Sequence, residues 1–159
     1  MRIDICNAQK LFRLDLKAVR LLTTRLMNLA MRKSPISKPS EVSIVLTDNK
    51  EMSKLNLRHL GRSGPTDVLA FRLEPIPGEP PAVTVEIVVN VEMAAIRRPP
   101  CRSPARTSRE LALYLAHGCD HSAGNDDATA RERQQMRRRE LRWLKRSDIA
   151  PLVNRLIRT

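Results

Sequence analysis

The chain has three histidines, and two of them, His117 and His121, lie four residues apart. The apolar segment that leads into them reads as helix. At i and i+4 two side chains stand about 40° apart around a helix axis and share one face, so both imidazoles can meet a single ion. Gly124, three residues on, allows a sharp turn back, and Asp127 follows three residues after it. His117, His121 and Asp127 thus make a three-ligand set with a fourth position open. That is how a catalytic zinc is held, whereas structural zinc sites are closed by four protein ligands. The spacing signals a site for one metal ion.

The same segment has plainer readings. Two histidines at a helix end also serve as carbonyl caps, and Asn125-Asp126-Asp127 alone makes an ordinary turn. Cys119, at i+2 from His117, points away from the shared face and is read as a packed thiol rather than a ligand. Asp120 fits either a group behind His121 or an outward-facing charge, and the outward reading is preferred. In the HExxH proteases the residue after the first histidine is a glutamate that acts as general base. Gly118 stands there in this chain, which excludes peptide hydrolysis by that mechanism.

The elements that must position these residues follow from patterning. Arg2 to Asn7 alternates as a strand, and Asp15 to Arg32 shows the apolar period of an amphipathic helix. Ser34-Pro35 and Lys38-Pro39 break that helix before a second strand, Glu41 to Thr47. Thr47-Asp48 offers a cap for a helix reaching Leu60. Asp67 to Leu73 and Ala82 to Val91 read as strands around a proline-rich tip, followed by one or two helical turns from Glu92 to Arg98. Thr107 to His121 is the histidine helix. Its Leu111 to Ala116 stretch is apolar all round, so this helix should be buried. Asp126 to Lys145 is a long charged helix, and Ile149 to Ile157 forms a last amphipathic set of turns. Strands and helices mix without regular alternation, which argues α+β. The expected architecture is a mixed sheet of about four strands with about five helices, in a single domain spanning residues 1–159.

Charge and composition narrow the partners. Twenty-nine Lys and Arg against 17 Asp and Glu give a net charge of +12, a field that attracts polyanions, chiefly nucleic acid. Aromatic residues make up only 3% of the chain, so stacking platforms for bases are not supported and backbone phosphates are the natural contact. Two basic segments, 97–109 and 131–146, are candidates to hold a phosphate backbone, and a solvated helix face is an equal reading of the second. An odd count of cysteines without a C-x-x-C spacing fits a reducing compartment and no disulfide partner. No apolar run is long enough for a membrane span, and the first residues lack a signal-peptide core, so a cytoplasmic protein is expected.

Several segments together resemble one family, the YbeY-type bacterial endoribonucleases. The family signature H-G-x-L-H-L-x-G-Y-D-H is matched in spacing by His117-Gly118-Cys119-Asp120-His121-Ser122-Ala123-Gly124-Asn125-Asp126-Asp127. The family's P-T-D-V-L-S-F strand is similar to Pro65-Thr66-Asp67-Val68-Leu69-Ala70-Phe71, and its next strand to Val85-Glu86-Ile87-Val88-Val89-Asn90. Order and spacing agree over nearly the whole chain, leaving the last dozen or so residues as a helical extension. The resemblance implies a zinc-dependent, single-strand-directed endoribonuclease in ribosome assembly, acting on the 3′ end of 16S ribosomal RNA. It implies one Zn2+ ion as the cofactor, and ribosomal RNA and the small ribosomal subunit as partners. Departures accompany the match. Asp127 replaces the family's third histidine, and Asp120 and Ser122 replace two leucines, which should make the site wetter. Leu60 stands where the family has an arginine serving RNA and catalysis. Arg58 and Arg62, to either side, are candidate substitutes for it, and Arg97, Arg98, Arg102 and Arg106 are candidate RNA contacts. No residue is assigned a catalytic acid–base role. A catalytically weakened assembly factor and a metallohydrolase of another substrate are the alternatives.

Overall fold

The computed structural model describes residues 1–78, 82–96 and 103–158. Its elements in chain order are β1 (Arg2–Asn7), α1 (Leu16–Ala30), a short 3-10 turn (Met31–Lys33), β2 (Glu41–Thr47), α2 (Asn49–Leu60), β3 (Val68–Leu73) and β4 (Thr84–Asn90). Then come α3 (Val91–Ile96), α4 (Pro104–Ser122), α5 (Ala130–Leu144) and α6 (Ala150–Val153). The four strands form one sheet in the order β1-β2-β4-β3. β1, β2 and β4 run parallel, in a register pairing Ile3 with Val42 and Ile44 with Ile87, and β3 returns antiparallel to β4. This is the expected mixed α+β sheet. The described residues hold six α-helices, one more than expected, because Ala150–Val153 closes a single turn of its own.

Strand alternation divides the sheet into two faces of unequal weight. Val42, Ile44, Leu46, Val85, Ile87 and Val89 are wholly buried on one face, where α1 and α4 pack. The other face is thinner: Val88 and Leu69 meet Met52 of α2, with Val45, Leu55 and Phe71 partly buried around them. Four helix starts have a side-chain cap. The Asp15 carboxylate accepts from the Lys17 and Ala18 amides at the head of α1, and Asp48 accepts from Glu51 at the head of α2. Ser103 caps α4 with Pro104 in its first turn, so the helix begins three residues before the expected Thr107. A reciprocal capping box between Thr129 and Glu132 starts α5 at Ala130, leaving 126–129 as loop rather than helix.

α4 runs through the middle of the molecule, as its all-round apolar stretch requires. Leu111, Ala112, Leu115, Ala116 and Cys119 are fully buried. The helix crosses the sheet so closely that a Cβ at Gly118 would lie 2.5 Å from Ile87 Cγ2 and 3.1 Å from Val68 Cγ2. The position held by the general base in HExxH proteases therefore faces the sheet in this chain, and glycine is the residue that fits. At the far end, Ile149, Leu152, Val153, Leu156 and Ile157 pack into the same core as α1 and α4. The Ser108 hydroxyl donates to the Val153 carbonyl at 2.6 Å and accepts from the Leu156 amide at 3.0 Å, tying this segment to α4.

Candidate metal centre

The last turn of α4 presents His117 and His121 on one side, with their Nε2 atoms 3.1 Å apart. A tight turn brings the chain back. Gly124 adopts φ +88°, a left-handed conformation that favours glycine, and its amide donates to the His121 carbonyl at 2.9 Å. The loop then delivers Asp127, whose Oδ2 lies 3.6 Å from His117 Nε2 and whose Oδ1 lies 3.8 Å from His121 Nε2. Ligand atoms bound about 2.0–2.1 Å from a tetrahedral ion stand roughly 3.4 Å from one another. The three side chains meet that spacing, and all three are half-buried.

Protons decide how this cluster can be read. The carboxylate Glu140 Oε1 takes the His117 Nδ1–H at 2.6 Å, and the Asn125 carbonyl takes the His121 Nδ1–H at 3.0 Å. With both Nδ1 atoms donating, each neutral ring turns a bare Nε2 lone pair toward the other and toward Asp127. Two lone pairs and a carboxylate at such distances repel unless a cation or a proton lies between them. A cation at that point converts the repulsion into coordination, and a Nδ1 donor to a carboxylate or carbonyl is the usual arrangement behind a metal-bound histidine. The side chains present therefore fit a metal ion. Burial is the largest single influence on His117 and pulls its pKa down. The hydrogen bond and charge of Glu140, with the charges of Asp67 and Asp127, outweigh it and raise the pKa above 6.5.

Glu140 is the residue that sequence reasoning missed. It is one of two acids among the eight basic residues of 131–146, a segment for which RNA holding and a solvated face are equal readings, neither of which turns a carboxylate inward. In the structure Met136 and Glu140 are the buried residues of α5, one turn apart on the stripe that faces α4. That i, i+4 step, continued by half-buried Trp143 and Leu144, was the available signal.

Two readings need correction. Asp120 is fully buried rather than outward-facing, because at i+3 from His117 it shares the α4 face that looks onto α5. There Arg139 grips it, with Nε 2.9 and 3.1 Å from its two carboxylate oxygens and Nη2 2.8 Å from Oδ2. Burial pushes the Asp120 carboxyl upward, and Arg139 opposes that shift. The site is also not made wetter by its polar substitutions. Ser122 is buried with its hydroxyl donating to the Gly118 carbonyl at 2.7 Å, and Asp120 is saturated by Arg139 and Asn125. Cys119 is the packed thiol expected, and burial drives its pKa far above the ordinary thiol range.

Among the described residues, the candidate RNA contacts lie on two elements, the end of α2 and the start of α4. Arg58 lies in the last turn of α2 and Arg62 just past its Gly61 cap, both exposed, with Leu60 between them 51% exposed. Arg106 is exposed in the first turn of α4, eleven residues before His117. At 1.5 Å per residue that is about 16 Å along the helix, so it does not join the ligand cluster. Arg97, Arg98 and Arg102 lie outside the described residues.

The family model for endoribonuclease YbeY matches residues 4–148. The chain belongs to the YbeY family. A Rhodopirellula baltica protein named endoribonuclease YbeY is 34% identical over 114 residues, covering 71% of this chain and 57% of that one. A Syntrophus aciditrophicus protein of the same name is 33% identical over 78% of this chain and 74% of its own length. For a Thermobifida fusca YbeY the figures are 30% identity, 86% and 87%. The chain thus spans little more than half of the Rhodopirellula relative and most of the Thermobifida one. A Thermotoga maritima protein solved in solution shares the fold, with TM-score 0.52 and 22% identity over 89% of this chain and 88% of that one. Asp120, Asn125 and Asp127 all lie where α4 and its following loop meet α5, whereas Leu60 stands apart at the end of α2.

Proposed function

We propose that this chain is a zinc-dependent endoribonuclease that cleaves single-stranded ribosomal RNA, with the 3′ end of 16S ribosomal RNA as its target. One observation supports the metal most directly. Two Nε2 lone pairs and the Asp127 carboxylate converge at ligand spacing while both Nδ1 protons are committed elsewhere. His117, His121 and Asp127 would hold the ion, which supplies an acidified water and polarises a phosphate oxygen when bound. Glu140 fixes the His117 ring, and the loop at 124–127 places the carboxylate. A net charge of +12 supports RNA as the substrate class and the small ribosomal subunit as its setting, and family membership supports hydrolysis. The proposed location is the cytoplasm. No helix among the described residues is long and apolar enough to cross a membrane.

Purified protein stripped with a chelator should not cleave a short ribosomal RNA substrate, and zinc should restore cleavage. Chelator-resistant cleavage would refute the proposal. A second reading draws on Leu60, exposed where the YbeY pattern has an arginine: an assembly factor that keeps RNA affinity with little chemistry. Leu60→Arg separates the two, because a cation near a scissile phosphate is worth several kcal/mol in the transition state. Faster cleavage by the variant supports a weakened enzyme. RNA affinity without cleavage in both proteins supports the assembly factor.

A further inference from the structure

The second histidine is held by a different device from the first. His121 donates its Nδ1 proton to the Asn125 carbonyl at 3.0 Å, so the ring is only as well oriented as that loop residue. Asn125 is exposed, in the turn between α4 and α5, where an unsupported peptide group would move. Two bonds restrain it, and both come from Asp120. The Asn125 side-chain amide donates to Asp120 Oδ1 at 2.9 Å, and its backbone amide donates to the Asp120 carbonyl at 3.4 Å. Asp120 is in turn buried and gripped by the Arg139 guanidinium, which lies over the Trp143 ring at 6.0 Å.

We propose that Arg139, Asp120 and Asn125 form a positioning relay that orients His121 for the metal, parallel to the direct hold of Glu140 on His117. Arg139 and Glu140 are neighbours on α5, so a single turn of that helix would govern both imidazoles by two routes. The relay gives Asp120 a purpose that an apolar residue at its position does not have. A buried carboxylate needs a partner, and Arg139 is spent on it although a leucine would fill the space without one. What the leucine lacks is an acceptor for Asn125. The relay ends on a carbonyl rather than a carboxylate, so it sets the direction of the ring without adding negative charge behind it.

The inference rests on the metal reading of His117, His121 and Asp127, and its test separates the two. Zinc affinity by calorimetry and the visible spectrum of the cobalt-loaded protein are measured for wild type, Asn125→Ala, Arg139→Lys and the double variant Asp120→Leu/Arg139→Leu. Thermal unfolding of each metal-free protein controls for fold. The double variant removes both charges together, so no buried ion is stranded. We expect it to bind zinc 10- to 100-fold more weakly, the usual cost of losing a supporting partner behind a metal-bound histidine. Asn125→Ala should lose a smaller factor, and Arg139→Lys, which keeps the cation, should recover part of the affinity. The cobalt bands should shift in the double variant, since a change in ligand direction alters the field at the ion while a general loss of stability does not. A double variant that folds and keeps both wild-type affinity and wild-type bands overturns the relay. If that variant does not fold, Asn125→Ala carries the test, and unchanged affinity and spectrum there overturn it. A wild-type chain that takes up neither zinc nor cobalt overturns the metal reading, and the relay with it.

Discussion

Helices α4 and α5 pack against one another beside the candidate metal centre, and they contribute to it in opposite ways. α4 supplies the two histidines from a helix whose fully buried Leu111, Ala112, Leu115 and Ala116 bind it to α1 and the sheet. α5 supplies no ligand. Its buried residues are Met136 and Glu140, and Arg131, Arg133, Arg137, Arg138 and Arg142 face solvent. Yet α5 holds the protons and charges that aim the α4 side chains: Glu140 on His117, and Arg139 on Asp120. A core helix can thus fix where ligands sit while a charged surface helix fixes how they point. Mutations should therefore separate stability from metal affinity along the same boundary.

The largest effects should fall on α4 and on stability. Leu111→Ala and Leu115→Ala each remove a fully buried side chain beneath the sheet and should cost about 2–5 kcal/mol in chemical denaturation. Unchanged stability in both would contradict the central packing of α4. On α5 the effect should move to the metal. Glu140→Gln keeps the volume and removes the charge behind His117, and it should weaken zinc roughly 10- to 100-fold by calorimetry while the metal-free protein stays folded. Equal zinc affinity in this variant would break the contrast between the helices.

Acidity sharpens the same contrast. The pKa of His117 is raised in the folded chain, chiefly by Glu140 acting against burial. A raised pKa stabilises the metal-free fold fully below the unfolded value of 6.5, and that contribution is lost as pH rises through the folded value. Zinc affinity should run the other way, rising with pH because the ligand must be neutral. Thermal unfolding of metal-free protein across this range should show the slope, and Glu140→Gln should flatten it. The smallest effect expected is at the head of α5. Thr129→Ala opens its capping box and should cost about 1 kcal/mol of stability, read by denaturation, with zinc affinity changed little.

Much of this arrangement is legible in the sequence. The i, i+4 histidines, Gly124 and Asp127 announced a converging cluster because helix periodicity and a left-handed turn translate directly into geometry. The four strands and the buried α4 followed from alternation and from an apolar run that had no polar face. The partners behind the ligands were not legible, for a physical reason. Glu140 and Arg139 sit in a helix where charge is abundant, and which charges turn inward depends on the crossing of α5 over α4. Met136, one turn before Glu140, marked the inward stripe, but a single methionine among arginines is a weak periodic signal. Asp120 turns inward because i+3 neighbours share a face as i+4 neighbours do, so the His117 side of α4 carries it toward α5. Helix starts moved by a few residues wherever Ser103 or Thr129 supplied a cap.

The central claim is that His117, His121 and Asp127 coordinate one ion whose geometry α5 controls. X-ray absorption at the zinc edge of the loaded protein tests it most directly. The predicted result is one four-coordinate zinc per chain, with two imidazole nitrogens at about 2.0–2.1 Å, oxygen from Asp127 and water completing the shell, and no sulfur. A sulfur ligand at about 2.3 Å, or a protein that retains no zinc under excess metal, would contradict it.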